Sequence, residues 1–342
     1  MSEEKSGQSM MKAPMSRKKF LRMCGSIVAG GAVATMSGEL VRRRLEQPAE
    51  ATLPGRLSPM RQETFSSPYR LVSSFDTGET IESLALHNDR LYVATADAVS
   101  AFDHHGRLLH RFSVGEPVRD VAVDDSGIYL LHRAGIQVYT PAGALLRSWE
   151  ACSDLSDYCA LALASGCVFA TDVSNKNICK YTAEGDFVKF ISSPNGFIIP
   201  SYTFGIESVG DVLYCSNSGR HQVESYTTDG EYLGSFGKHG VAPGLFAGCC
   251  NPVYLSCTPS GDVITSEKGI PRISCYGRDG KFRGILLDGK MLGSGKFAYD
   301  VKVQKDKIFV AGKKTVAVFR YDSALAENTA CAGCGVSCPL RG

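Results

Sequence analysis

Residues Val212–Gly237 read VLYCSNSGRHQVESYTTDGEYLGSFG: an apolar strand, a polar loop, an alternating strand, an Asp-Gly turn and a third strand ending in Phe-Gly. Apolar residues recur at a period of two, the spacing of a half-buried strand, and Asp-Gly supplies the tight turn between strands. The same order returns more loosely as RLYVATADAVSAFDHHGRLLHRF from Arg90, GIYLLHRAGIQVYTPAGALLRSW from Gly127 and VFATDVSNKNICKYTAEGDFVKF from Val168. It returns again as DVITSEKGIPRISCYGRDGKFRGIL from Asp262. Adding the innermost strand of each unit gives six repeats that start near Thr80, Val118, Cys159, Tyr202, Asn251 and Phe297, spaced 38 to 49 residues apart. That spacing belongs to propeller blades and is far longer than a leucine-rich repeat. The sixth unit, FAYDVKVQKDKIFVAGKKTVAVFRY, holds only three strands and stops at Tyr321, while an unmatched strand, YRLVSSF, stands before the first unit at Tyr69–Phe75. Pairing that strand as the outer strand of the sixth unit closes a ring with no open seam. The expected fold is therefore all-β: a six-bladed β-propeller of four-stranded blades, closed by an N-terminal strand and followed by a Cys-rich C-terminal tail. A β-sandwich offers no reason for units of four.

The Val212 unit resembles the NHL repeat, L-Y-x-x-[DN]-x-G-x-H-x-V-x-x-Y-x-x-D-G-x-x-L-G-S-F-G, and the other units match it as generic blades. Within the fifth unit, GCCNP (248–252) followed by SEKGIPR (266–272) is similar to a group of exported bacterial NHL-repeat proteins, over roughly Tyr202 to Leu286. The resemblance implies the propeller fold and carries no activity.

The chain has 342 residues, enough to bury a large core, and a net charge of +2, which gives no electrostatic case for nucleic acid. Before the first strand, SRKKFLR (16–22) precedes an uncharged run from Met23 to Gly38, a basic region and apolar stretch of the export-signal type. The heptad resembles the twin-arginine motif S-R-R-x-F-L-K at Ser16, Arg17, Phe20 and Leu21, with Lys18 where the second arginine belongs. The expectation is an export signal over residues 1–38, a Pro/Ser/Arg-rich linker over 39–68, the propeller over 69–321 and the tail over 322–342. The protein is then periplasmic, and the N-terminal segment, left uncleaved, is the only part that would anchor it in a membrane.

In such a ring, the position just after each second strand, Thr95, His132, Asp172, Asn217, Glu267 and Gly312, opens on the face that carries the loops entering the inner strands. One reading makes these turn-building residues whose side chains cap local N–H groups. The other makes His132, Asp172, Asn217 and Glu267, with Lys268 and Arg272 beside Glu267, a convergent polar site at the channel mouth. No spacing matches a zincin helix, a nucleophile elbow or a phosphate loop.

Thirteen cysteines is an odd number, so at least one lacks an intramolecular disulfide partner. Cys249 and Cys250 are adjacent in the loop entering blade five, where Lys268 and Arg272 would favour thiolate. In the tail, Cys331, Cys334 and Cys338 give C-x2-C-x3-C-P, which resembles the last three cysteines of the bacterial ferredoxin run, with Asn328 where the first would fall. Cys249 or Cys250 would supply the missing ligand. The expected cofactor is an iron–sulfur cluster, the alternative a zinc ion held by three or four thiolates, and disulfides remain open. Cys152 and Cys159 flank the loop entering blade three and suggest a local disulfide. Three functions compete. The first is a redox propeller exchanging electrons with a protein partner through a cysteine-ligated centre. The second is a non-catalytic ligand- or protein-binding propeller with structural cysteines. The third is a metal-dependent lyase or hydrolase using His132, Asp172 and Glu267.

Overall fold

A computed structural model describes residues 67–293, 295 and 297–328. The export-type segment, nearly all of the linker, Cys24 and the three tail cysteines lie outside them.

The described chain is a ring of six four-stranded antiparallel sheets. The first strand, β1 (Tyr69–Asp76), is set aside for the last blade. Blade one holds β2 (Ile81–His87), β3 (Arg90–Thr95), β4 (Ala98–Asp103) and β5 (Leu108–Ser113). Blade two holds β6 (Asp120–Asp124), β7 (Gly127–His132), β8 (Gly135–Tyr139) and β9 (Leu145–Glu150). Blade three holds β10 (Tyr158–Ala164), β11 (Cys167–Asp172), β12 (Asn177–Thr182) and β13 (Phe187–Ile191). Blade four holds β14 (Ile206–Val209), β15 (Val212–Asn217), β16 (Gln222–Thr227) and β17 (Tyr232–Phe236). Blade five holds β18 (Tyr254–Cys257), β19 (Val263–Glu267), β20 (Arg272–Tyr276) and β21 (Phe282–Leu287). Blade six holds β22 (Val301–Gln304), β23 (Lys307–Ala311) and β24 (Thr315–Tyr321), and β1 completes it, Tyr69 opposite Tyr321 and Asp76 opposite Thr315. The sequence-derived inner-strand starts fall within four residues of the observed ones, and the closing strand sits where the incomplete sixth repeat demands it.

Burial follows strand position. The second strand of a blade is packed on both faces, so every residue of Gly127–His132 is buried, whereas the outer strand Leu108–Ser113 is mostly exposed. Six apolar clusters lie at the blade-to-blade interfaces. One joins Ala85, Tyr92 and Val99 of blade one to Val121, Ile128 and Leu130 of blade two.

The repeat signature also explains itself at these interfaces. Gly106, Gly143, Gly185, Gly230 and Gly280, one in each turn between third and fourth strands, all have φ between 75° and 102°. A Cβ at each would strike the outer strand of the preceding blade: Phe75, Phe112, Trp149, Ile191 and Phe236 respectively. A large apolar side chain of one blade's outer strand, aromatic in four of the five cases, is thus seated on the turn glycine of the next. Replacing Gly185 by alanine combines a left-handed backbone (φ 102°) with a Cβ only 2.6 Å from the Trp149 ring. The expected loss is about 2–3 kcal/mol by thermal or urea melting. Gly196→Ala is the control, since Gly196 shares the positive φ (73°) but has nothing within 4 Å, and it should cost about 1 kcal/mol. Equal losses would show that the aromatic seat adds nothing.

Candidate functional site

The loop between β17 and β18 carries the double cysteine, and buried polar groups fix it at both ends. Arg272, 5% exposed, donates from Nη1 to Val241 O (3.1 Å) and from Nη2 to Leu245 O, while its Nε and Nη2 clamp the Glu267 carboxylate at 2.6 and 2.9 Å. Phe246, fully buried, packs against Tyr276 with ring centroids 5.6 Å apart. Asn251 donates from Nδ2 to Ala247 O (2.6 Å) and Lys268 O (2.9 Å) and accepts from Lys268 N–H (2.9 Å), tying the loop to the β19–β20 turn. The Asn251–Pro252 peptide is cis. His221 donates from Nε2 to Gly248 O at 2.6 Å, and its ring stands 4.6 Å from that of His239.

Held this way, Cys249 is exposed and Cys250 buried, with their sulfurs 3.3 Å apart. Burial pushes the Cys250 thiol up, but hydrogen bonds from Lys268, Cys249 and Ser201 outweigh it and leave it below the ordinary thiol value. The Cys249 thiol, which shares its hydrogen bond with Cys250 and feels that neighbour's charge, is raised. Two adjacent thiols, the inner one shifted toward thiolate and the outer one exposed, make a vicinal dithiol suited to a soft Lewis acid or an oxidant.

Among the residues singled out from sequence, Cys249, Cys250, Lys268, Glu267 and Arg272 come together in this one loop pair. The remainder are held within their own blades. Asp172 accepts from the N–H groups of Asp157, Ser174 and Asn175 and from Asn175 Nδ2 (2.8 Å). Asn217 accepts from Ile198 N–H and donates to Gly196 O and Glu224 Oε1. His132 donates from Nδ1 to Pro117 O (3.0 Å) and borders a separate pocket with Glu116, Trp149 and Asp154. Thr95 donates to Glu79 Oε2 at 3.0 Å, and Gly312 donates its N–H to Thr315 O. His132, Asp172 and Glu267 therefore form no constellation. Among the described residues no three His, Cys, Asp or Glu side chains are placed to hold a metal ion. Each of the three candidates is engaged elsewhere: Asp172 caps its own turn, His132 bonds the Pro117 carbonyl and Glu267 pairs with Arg272.

Cysteine pairing also departs from the expectation. Cys159 donates its thiol to Tyr202 O (3.0 Å), and Cys152 faces Cys179 instead, sulfur to sulfur at 3.3 Å. The inner strand points Cys159 toward the ring axis, whereas the preceding loop lies over the third strand of the blade.

The axis of the ring holds the feature that sequence reasoning missed. A cavity of about 530 Å³ is lined from every blade, and none of the sequence-derived mouth candidates borders it. Its charged lining is Glu82, Asp120, Asp157 and Asp300 against Arg119, Arg133 and Lys302. Asp120 accepts from Ser83 Oγ (2.5 Å) and its own Val121 N–H at one oxygen and from Leu161 N–H (2.7 Å) at the other, so it ties three inner strands together. Burial pushes its carboxyl up to about 6, with Lys302 and the Ser83 hydrogen bond opposing. Asp300, which accepts from Leu84 N–H (2.7 Å), is raised too, chiefly by burial. Lys302 pairs with Glu207 at 2.7 Å and is raised by its carboxylate neighbours despite burial. Arg119 donates to Asp157 Oδ1 and to Tyr158 O.

The cavity and the dithiol meet at one turn. Ser201, which hydrogen-bonds Cys250, and Tyr202, which lines the cavity, both hold left-handed backbone at φ 57° and 55°. Two consecutive non-glycine residues in that region store strain of the kind found at functional sites. A repeated sequence signal marked the channel in retrospect. Asp-Val-x-Val recurs at 120–123 and 300–303, and Ile-Glu-Ser at 81–83 and 206–208, each at an inner strand.

Comparison with known proteins places the fold. No protein-family profile matches the sequence, and no curated protein does. Among solved structures, a catalytically inactive virginiamycin B lyase from Staphylococcus aureus, crystallised with quinupristin, superposes with a TM-score of 0.53 at 13% identity, over 74% of this chain and 99% of that one. A protein of unknown function from Bacteroides thetaiotaomicron gives 0.55 at 15% identity, over 72% of each chain. The WD40 propeller domain of Doa1 gives 0.53 at 10%, over 72% of this chain and 80% of that one. At these identities the likeness speaks for architecture alone. The chain is a six-bladed β-propeller, and the solved structures it is similar to include a lyase and a WD40 propeller domain.

Proposed function

We propose that the chain is an exported NHL-type propeller whose working group is the Cys249–Cys250 dithiol, acting as part of a cysteine-ligated metal centre that exchanges electrons with a protein partner. The observation that carries the reading is the sulfur pair at 3.3 Å beside Lys268, joined through Ser201 to Tyr202 in the lining of the axial cavity. Cys331, Cys334 and Cys338 offer three ligands of a four-thiolate set and Cys249 or Cys250 the fourth, for an iron–sulfur cluster first and zinc second. The blade signature at Val212–Gly237 supports the NHL assignment and the SRKKFLR segment supports export. Iron, zinc and sulfide analysis of the anaerobically purified full chain tests it. Bound metal is expected in the parent, and at least a tenfold loss in the Cys249→Ser/Cys250→Ser double variant and in a chain lacking its last 14 residues (329–342). A metal-free, colourless protein with all its thiols titratable would sink the idea.

The axial cavity favours a second reading, a binding propeller that holds a small polar molecule between the buried carboxylates and the rim arginines, with its cysteines structural. Binding that survives Cys331→Ser, Cys334→Ser and Cys338→Ser would favour it over the first.

A further inference from the structure

Cys152 and Cys179 sit 27 residues apart in sequence, on the loop that leads into blade three and on the third strand of that blade. Their sulfurs are 3.3 Å apart, closer than the contact distance of unbonded sulfurs. The approach is built into the fold. The Cys152 N–H lies 3.1 Å from the Tyr181 hydroxyl and 3.3 Å from that of Tyr158, and those two hydroxyls hydrogen-bond each other. Both tyrosines are fully buried, so the anchor that draws the loop over Cys179 is rigid. Trp149, seated on Gly185, packs beside Tyr181 at 6.1 Å between centroids, in the same apolar cluster as Cys152 and Cys179.

We propose that Cys152 and Cys179 are a modification site: they close to a disulfide that staples the entry of blade three to its own third strand. The thiolate of half-buried Cys152 attacks the disulfide of a thiol-oxidising agent and releases one thiol. The Cys179 sulfur then displaces the second thiol from the mixed disulfide. The new S–S bond is balanced by two electrons passed to the oxidant's sulfurs and by two protons that leave on the released thiols. Cys179 has no exposed surface and burial pushes its thiol up, so an outside thiol reaches the closed pair only through Cys152. This separates it from Cys249–Cys250, where Cys249 is exposed and hydrogen bonds shift the Cys250 thiol below its ordinary value. The staple requires an oxidising compartment, which fits the export-type segment, but it stands on geometry independent of the metal reading.

The full chain, folded with glutathione disulfide, blocked with iodoacetamide in denaturant and digested, gives the test by mass spectrometry. The expected result is one cross-linked species joining the Cys152 and Cys179 peptides, alkylated only after reduction. Reduction should lower the melting temperature by about 5 °C, and that drop should vanish in Cys152→Ser and in Cys179→Ser. Both peptides alkylated without prior reduction, or Cys152 joined to Cys159, would overturn the proposal. Should either variant fail to fold, the peptide map of the native sequence decides alone.

Discussion

Arg272→Met is expected to destabilise the propeller by about 3–5 kcal/mol, the cost of leaving a buried carboxylate without its partner. The methionine keeps the stem's packing and removes the charge, so the loss reports electrostatics more than volume. Glu267 has no exposed surface, and without the guanidinium only hydrogen bonds such as that from the Ala247 N–H remain to stabilise its charge. The carbonyls of Val241 and Leu245 lose their donor in the same step, so the loop that presents Cys249 and Cys250 is loosened at its start while Asn251 still ties its end. In a chain of this size the melting temperature should fall by about 10 °C. The deficit has a pH signature. Burial already raises Glu267 above its unfolded value, and loss of Arg272, which lowers it, widens that gap. The penalty is then largest at alkaline pH and shrinks as the pH falls and the carboxyl takes up a proton. Glu267→Gln in the Arg272→Met background should restore part of the loss. A change below about 1 kcal/mol in the single variant, flat with pH, would mean that the ion pair carries no net weight.

The second large effect lies on the ring axis. Asp120, pushed up to about 6 mainly by burial, binds a proton in the folded state that the unfolded chain has released by about pH 4. Its contribution is therefore present below the unfolded value and is lost as the pH rises through 6. Above that, the charged form costs up to about 3 kcal/mol, reduced by whatever water in the cavity screens. Asp300, raised in the same direction, adds to the slope. Urea titrations from pH 4 to 8 should show Asp120→Asn losing its share of that slope relative to the parent. The slope is the readout because the amide cannot replace both oxygens toward Ser83, Val121 and Leu161, so absolute stability moves as well. Parallel profiles for parent and variant would show that Asp120 is charged in the native ring.

These two residues illustrate what could be read before the structure. Arg272 and Glu267 were placed near the double cysteine because they share a blade, and a blade is a local object: its strands follow one another and its turns are spelled by Asp-Gly and Asn-Gly-like pairs. The closing strand was legible for the same reason, as a remainder when three strands were counted after Phe297. Asp120 is harder to see, since its partners, Ser83 and Leu161, belong to two other blades and its only signal is the recurrence of Asp-Val-x-Val at 120–123 and 300–303. The polar positions after each second strand misled because the same geometry that opens them toward one face also lets them satisfy their own turn, as Asp172 does with Ser174 and Asn175. Proximity in sequence suggests Cys159 as a partner for Cys152, but strand direction turns Cys159 to the axis and leaves Cys179 beneath the loop.

Ring closure has a further consequence. The Asp322 N–H donates to Pro68 O at 2.8 Å, and Arg70 grips Asp322 across 252 residues of sequence, so the two ends of the propeller leave it side by side. A chain whose ends meet has no privileged first blade. Joined by a short link at Pro68 and Asp322 and opened in another interblade loop, it would hold every strand pair it holds now. Circular permutation would then change only the order in which pairs become available during folding. In the natural order, β1 is made first and finds its partner last, and the outer seam of blade six stays open until Thr315–Tyr321 arrives.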